Sequence, residues 1–220
     1  VNFQGTEFLL SKMRINRKDV KQLTYRGGGW PSGMSISLRD GSSIKIPLFG
    51  SWHSYWPVFS SFFFTPVRCM MCSDQTAELA DISLGDAWLP EFMNDKIGKS
   101  IIVTRTEKAE QLLSLMKNEG LINVEHIPPE KVKQSQQINI RFKKDDLPPR
   151  LSLLASRGLK IPRFNNIKDT RITPSSVLRF IYAYTNMKAS ANPLILTILR
   201  GVPLPLFRCY QGLYKFLSTI

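Results

Sequence analysis

The sequence has few cysteines and histidines, and this scarcity limits the sites that it can build. Its 220 residues include three cysteines and two histidines. Two of the cysteines, Cys69 and Cys72, form one C-x-x-C pair. Secreted disulfide scaffolds usually carry an even set of cysteines at several spacings. The odd count therefore argues against a secreted protein and favours a reducing compartment, where paired thiols serve metals or redox chemistry.

Long hydrophobic runs are missing as well. The most apolar stretch, residues 193–207, is interrupted by Arg200, Gly201, Pro203 and Pro205. A membrane-spanning helix needs a run of about 18 or more apolar residues. The chain also does not open with a basic segment followed by an apolar one, as a secretory signal would. We therefore expect no spanning helix and a cytoplasmic location.

Acidic residues are scarce in the C-terminal part and absent from residue 175 onward. The net charge of the chain is +13. Residues 1–128 hold 14 Lys and Arg against 13 Asp and Glu, whereas residues 129–220 hold 16 against 4. The basic character thus belongs to the C-terminal section. Such a section is suited to an anionic partner, and a solvated basic face is the alternative of equal weight.

The pattern of apolar residues predicts a mixed α/β (α+β) fold with a central β-sheet and packed helices. Residues 34–38 and 44–48 alternate apolar with polar positions around Asp40-Gly41, which predicts a β-hairpin. A strand is also predicted at residues 20–25, and a short helix at residues 6–17.

Further along the chain, aromatic residues at spacings of three and four predict a buried helix over residues 51–64. Residues 100–104, 107–118 and 121–127 have the pattern of a strand, a helix and a second strand. Residues 129–220 are predicted to be mainly helical.

The C-x-x-C pair is the strongest chemical signal, because a tight turn brings both thiolates to one metal centre. Structural zinc and iron–sulfur clusters commonly take four cysteine ligands, two more than this pair supplies. The other soft or borderline donors are His53, His126 and Cys209, and none has a characteristic spacing to the pair. We expect His53 to pack in the core and Cys209 to be a buried thiol.

A glycine-rich segment at residues 25–33 is the second candidate site. Arg26, Gly27, Gly29 and Trp30 are predicted to line a cofactor pocket, because glycines let the backbone approach a phosphate or a ring and an arginine can pair with a pyrophosphate. The alternative is that the glycines only shape a turn and the tryptophan fills core. The segment matches neither a dinucleotide fingerprint nor a P-loop.

Three motifs, in order, resemble one known family. The first is the segment from Tyr25 to Gly33, and the second is the run R-C-x-x-C-x-D-x-x-x-E-x-A-D-I-S-x-G-D-A-W that begins at Arg68. The third comprises Ser135-Gln136, Lys143-Lys144, Arg150 and Pro162. Together they cover about residues 6–165. They resemble the C-terminal domain of the beta subunits of coenzyme F420 (8-hydroxy-5-deazaflavin) hydrogenases and dehydrogenases.

The resemblance implies an electron-transfer oxidoreductase subunit with a [4Fe–4S] cluster and FAD, which uses coenzyme F420 or a similar hydride carrier as substrate. Cys69 and Cys72 would be cluster ligands, and the other ligands would come from an N-terminal region of the family that this chain lacks. Implied partners are other redox subunits or a ferredoxin-like carrier. No catalytic residue is assigned. Beside the glycine-rich segment, the implied cofactor-binding residues are Arg68, Asp81, Ser83, Gly85 and Asp86. Aspartate and serine also cap turns and helices, which is the competing interpretation.

The resemblance assigns residues 1–165 to the family's C-terminal domain and leaves residues 166–220 as a basic helical extension. An anionic membrane surface at the inner face is a candidate partner of this extension, and a helical pair packed on the domain or on another subunit is the alternative. We do not expect nucleic acid as a partner. Two other functions stay open: a family member without redox activity, associated with polysaccharide biosynthesis, and a zinc-stabilised basic binding module.

Overall fold

The computed structural model describes residues 2–27, 29–49, 54–164 and 172–219, and its fold is mixed α+β, as predicted. The chain divides into two compact units, which are described separately. The first consists of Val1–Cys72 and Asp146–Ile220, and the second of Ser73–Asp145. The domain boundary near residue 165 stays a prediction.

The first unit contains a three-stranded antiparallel sheet. Its strands are β1 (Val20–Gly27), β2 (Gly33–Leu38) and β3 (Ser43–Pro47), in that spatial order. The predicted hairpin is confirmed, and Gly41 adopts a φ of 90° at its tip, where a side chain would be strained. Met34, Ile36 and Ile46 bury one face of this sheet. The alternation of apolar and polar residues therefore set the register, because a slip by one residue would expose this face.

The aromatic segment forms a much shorter helix than predicted. Helix α2 spans only Trp56–Ser60, and residues 61–64 form turns in which Phe62 and Phe64 have φ values of 66° and 61°. The Phe64 ring lies 5.0 Å from Phe8, and the Phe64 amide donates a hydrogen bond to Ser190 Oγ. Tertiary packing of the buried Phe63 and Phe64 thus overrides helical continuation. His53 and Trp52 lie outside the described residues.

Helices make up the rest of the first unit. The N-terminal helix α1 (Phe3–Lys12) begins earlier than predicted, because Asn2 caps it through its side chain. It also ends five residues before the predicted residue 17, since the chain turns at Arg14, which has a φ of 57°. The others are α3 (Val67–Met70), α6 (Leu147–Ala155), α7 (Pro174–Ala191), α8 (Pro193–Gly201) and α9 (Leu204–Thr219). The mainly helical character predicted for the C-terminal part is confirmed. Among the described helices, none combines the length and the apolar composition that a membrane span requires.

The second unit contains β4 (Ile82–Asp86), β5 (Ser100–Thr104), α4 (Glu107–Asn118) and α5 (Pro129–Lys143). Helix α4 has the predicted bounds, but the predicted strand at residues 121–127 is wrong. Strand β5 pairs antiparallel with β4, which the sequence pattern did not reveal. Leu121 is largely exposed, so the segment lacks the buried face that would hold it in a sheet.

Candidate functional site

Cys69 lies in the one-turn helix α3, and Cys72 follows two residues after its end. Pro66 precedes α3, and its carbonyl accepts a hydrogen bond from the Cys69 amide at 2.9 Å. The Arg68 carbonyl accepts one from the Met71 amide at 3.1 Å. The Met70 side chain is completely buried, whereas Cys69 and Cys72 are partly exposed. A buried methionine therefore anchors the turn while both thiols stay accessible.

A buried arginine from another helix holds this turn. Arg150 of α6 is 3% exposed, and its Nε donates a hydrogen bond of 2.5 Å to the carbonyl of Met70. That carbonyl lies between the two cysteines in the chain. Sequence reasoning included Arg150 in the third motif but assigned it no role. The available signal was its position among Leu147, Leu151 and Leu154, which recur at helical spacing and bury this face of α6.

Arg150 belongs to a small network of charges in the first unit. Burial lowers the pKa of Arg150 from 12.5 to about 10, and the nearby charges of Asp146, Tyr214 and Cys72 partly offset this effect. The group therefore stays a cation at neutral pH. Asp146 also accepts hydrogen bonds from Arg179, from Nη2 at 2.7 Å and from Nε at 3.1 Å. The mostly buried Asp146 carboxylate thus binds Arg179 directly and acts on Arg150 through its charge.

Cysteine thiols are the right kind of ligand for an iron–sulfur or zinc centre, but this chain has too few of them to complete one. The sequence has three cysteines, too few for a four-thiolate site. Cys209 is exposed, so the expectation of a buried thiol is wrong. It lies on the side of α9 away from Phe207 and Tyr214, the residues that this helix buries. Within the described ranges, no three His, Cys, Asp or Glu residues lie together as a metal site. Cys69 and Cys72 can supply half of one.

The glycine-rich segment lies at the end of β1 and the start of β2. Gly27 pairs with Gly33, and a Cβ atom added to Gly27 would lie 2.3 Å from Cβ of Ser35. The close approach of β1 and β2 therefore explains on structural grounds why residue 27 is a glycine. Arg26 and Gly29 are exposed, and Trp30 is partly buried. Their roles toward a cofactor stay predictions.

An aromatic triangle adjoins this segment. The ring centroids of Tyr25, Tyr55 and Phe59 lie 5.5 to 5.9 Å apart, and the Tyr25 hydroxyl is 2.8 Å from Thr6 Oγ1. Burial, aided by Tyr25, raises the pKa of Tyr55 to about 12, while the Arg26 cation acts in the opposite direction. Arg26 is thus close enough to Tyr55 for its charge to act on the phenol, while the three rings pack tilted or edge-on against one another and Tyr55 is buried.

The acidic part of the second motif forms a strand rather than a turn. Asp81 immediately precedes β4, and Ser83, Gly85 and Asp86 lie within it. Arg105 donates hydrogen bonds to Ser83 Oγ at 3.1 Å and to the Ala80 carbonyl at 3.2 Å. A Cβ atom added to Gly85 would meet nothing within 4 Å. These residues belong to the second unit, and their predicted cofactor contacts stay predictions.

The third motif meets the second within the second unit. The Asp86 carbonyl accepts hydrogen bonds from Ser135 Oγ at 3.2 Å and from Gln136 Nε2 at 3.0 Å. The Trp88 amide donates to Ser135 Oγ at 3.0 Å. Two motifs that lie about 50 residues apart in the sequence thus pack against each other. This contact explains on structural grounds why a serine and a glutamine stand at positions 135 and 136.

The family model that describes the C terminus of the coenzyme F420 hydrogenase/dehydrogenase beta subunit matches residues 1–130 of this chain, which contain the glycine-rich segment and the C-x-x-C turn. The chain belongs to this family. Membership in the coenzyme F420 hydrogenase/dehydrogenase beta-subunit family confirms the resemblance and is consistent with a role in redox electron transfer.

A curated relative is the coenzyme F420 hydrogenase subunit beta of Methanococcus voltae. It is 41% identical over 59 residues, which are 27% of this chain and 19% of that protein. The chain thus spans about a fifth of the length of the relative that it matches. No solved structure matches the chain.

Proposed function

We propose that this chain is the C-terminal part of an electron-transfer oxidoreductase subunit that moves electrons between a deazaflavin-like hydride carrier, FAD and a [4Fe–4S] cluster. Cys69 and Cys72 would be two of the cluster ligands. The observation that carries the proposal is the buried Arg150 cation on the carbonyl between them. When bound, FAD exchanges electrons in pairs with a hydride carrier and singly with a cluster.

The charge of Arg150 supports a site with anionic ligands. The pKa of Arg150 is lowered from 12.5 to about 10 even after Asp146, Tyr214 and Cys72 offset part of the effect of burial, a net cost of about 3 kcal/mol. Asp146 does not remove this cost, since it also binds Arg179. Thiolate ligands on the adjacent turn would balance the remaining positive charge. A cluster held by thiolates is therefore a better partner for this turn than two neutral thiols.

In this proposal the residues of the first unit have separate tasks. Arg150 fixes the turn and so holds both thiolates in one orientation, while Met70 keeps water from the inner side of the turn. Arg26 would bind the pyrophosphate of FAD, and the partly exposed Tyr25, held by its packing on the buried Tyr55, would lie beside its ring. The other proposed cofactor contacts are Gly27, Gly29, Trp30, Arg68, Asp81, Ser83, Gly85 and Asp86.

The remaining ligands and partners are part of the proposal. A cluster with four cysteines needs thiolates from outside these 220 residues, because the sequence has only three. We propose that other redox subunits or a ferredoxin-like carrier exchange electrons with the site, that coenzyme F420 is a candidate substrate, and that the protein works in the cytoplasm. Residues 1–165 would form the redox domain and residues 166–220 its extension.

The test is metal and flavin analysis of the intact subunit, purified without oxygen. We expect about four iron and four sulfide per subunit, bound FAD and a brown visible spectrum. Cys69→Ser and Cys72→Ser should abolish the iron content. Cys209→Ser is the matched control and should retain it, because Cys209 is exposed on α9.

Arg150→Met supplies a second readout. It removes a positive charge beside the thiolates, so the reduction potential of the cluster should become more negative, whereas Arg150→Lys should preserve most of it. A folded, colourless and iron-free subunit would refute the proposal. Zinc in place of iron would refute it too, and would instead favour the zinc-stabilised binding module.

A further inference from the structure

Helix α8 is apolar, yet none of its residues is fully buried, and only Leu196 and Leu199 of this helix are partly covered. Its sequence is PLILTILRG, and no residue of α8 is buried. Leu194 is 79% exposed and Ile198, one turn later, is 69% exposed. A soluble protein normally buries such a face, since apolar side chains left in water forfeit the free energy of burial. The exposed face of α8 therefore indicates a partner.

Contacts at its two ends hold α8 in position. Asn192 Oδ1 caps its N-terminus by accepting hydrogen bonds from the amides of Leu194 and Ile195 at 2.9 and 3.2 Å. At the C-terminus, Lys12 Nζ donates to the carbonyls of Leu199 and Arg200, both at 2.6 Å. The orientation of α8 is thus fixed while its outer face stays open.

Helix α9 also has an exposed apolar face, although its inner side is packed. It buries Phe207 and Tyr214 in the first unit, where the Phe207 ring packs edge-on against Phe8 and Phe63. On one outer flank it exposes apolar side chains at helical spacing, namely Leu206, Leu213 and Phe216. On the other outer flank it exposes Arg208 and Lys215. The outer surface is therefore divided into an apolar and a basic side.

The charged groups around these faces all have one sign. Residues 172–219 contain no Asp or Glu. The exposed cations there are Lys188, Arg200, Arg208 and Lys215. An exposed aliphatic face flanked by cations is the pattern of helices that lie in a membrane interface, with apolar side chains inserted and Lys and Arg near the headgroups. The lack of any acidic residue favours an anionic surface.

We propose that α8 and the outer face of α9 dock this protein on an anionic lipid bilayer. The helices would lie in the plane of the interface, since neither is long and apolar enough to cross a membrane. The core of a protein interface is usually depleted of lysine and rich in aromatic residues, whereas α8 presents leucine and isoleucine. This inference does not depend on the proposed redox function, and its test uses no cofactor.

The test is co-sedimentation of the 220-residue chain with vesicles of phosphatidylcholine alone or with 30% phosphatidylserine. We expect binding to the anionic vesicles that weakens as salt rises from 50 to 500 mM. Leu194→Glu with Ile198→Glu should reduce binding at least tenfold. Leu112→Glu with Leu115→Glu is the matched control, because both leucines are exposed on α4, and it should bind as the unmodified chain does.

A second pair of variants tests the charge. Changing Lys188, Arg200 and Lys215 together to Gln should weaken binding about a hundredfold, at roughly fivefold for each charge. Changing Lys96, Lys108 and Lys117 to Gln alters the net charge equally and should have little effect. Far-UV circular dichroism checks that every variant is folded. Absence of binding to anionic vesicles, equal loss in the matched controls, or a stable dimer that covers α8 without lipid would each overturn the proposal.

Discussion

The buried ion pair between Arg179 and Asp146 permits a sharp stability prediction. Arg179 Nη2 and Asp146 Oδ1 lie 2.7 Å apart, and their side chains are 8% and 13% exposed. We consider Arg179→Met, since methionine keeps most of the apolar volume of the arginine stem but removes its charge. The change leaves the Asp146 carboxylate buried without its hydrogen-bonding partner.

The size of the effect follows from burial. Breaking a buried pair by removing one partner costs about 3 to 5 kcal/mol, because the remaining charge cannot return to water. Arg150 also interacts electrostatically with Asp146 and keeps part of the compensation. We therefore expect the lower end, a loss of about 3 kcal/mol in the free energy of unfolding. This is a large share of the total for a protein of marginal stability.

The protein contains a matched control for this change. Arg17 Nη1 and Glu7 Oε1 are also 2.7 Å apart, but their side chains are 80% and 47% exposed. Exposed pairs contribute about 0 to 1 kcal/mol, since water and salt screen them. Arg17→Met should therefore cost less than about 1 kcal/mol. The two variants differ in burial, not in the distance between the charged atoms.

Urea unfolding at pH 7, followed by far-UV circular dichroism, provides the measurement. A loss of about 3 kcal/mol lowers the unfolding midpoint by about 1 to 1.5 M at the urea dependence usual for proteins of this size. Equal midpoints for Arg179→Met and Arg17→Met would refute the argument that burial determines the cost.

Two further predictions concern strand glycines and alkaline pH. Gly33→Ala should destabilise the protein by about 1 to 3 kcal/mol, because the added Cβ would lie 2.3 Å from the Ile46 carbonyl oxygen. The control is Gly85→Ala, whose added Cβ meets nothing within 4 Å and which should leave the stability unchanged. Urea midpoints that fall equally in the two variants would contradict this. The pKa of Tyr55 is raised from 10.0 to about 12, so between these pH values the unfolded chain binds fewer protons and stability falls. Tyr55→Phe should remove about 2 kcal/mol of that decline between pH 8 and pH 11.5 when urea unfolding is compared at pH 8, 10 and 11.5. An unchanged decline would show that burial does not raise the pKa of this phenol.

The sequence predicted the local chemistry of the candidate site better than its surroundings. The C-x-x-C spacing indicated a tight turn that carries both thiols, since this depends on neighbouring residues only. Arg150 was recognised only as part of a motif, because its contact with Met70 joins positions 80 residues apart. No pattern within one segment specifies such a contact. The exposure of Cys209 was missed for the same reason.

By itself, the sequence determined the hairpin, the helical C-terminal part, the basic section and the family motifs. These follow from alternation, turn residues, charge counts and short spacings, which are properties of neighbours along the chain. Only the tertiary structure decided that the aromatic segment stops being helical after Ser60, that β4 is a strand and that residues 121–127 are not. It also decided that the apolar helix α8 has no fully buried residue while the charged Arg150 is buried. In each case the outcome depends on which surfaces meet, and distant residues supply those surfaces.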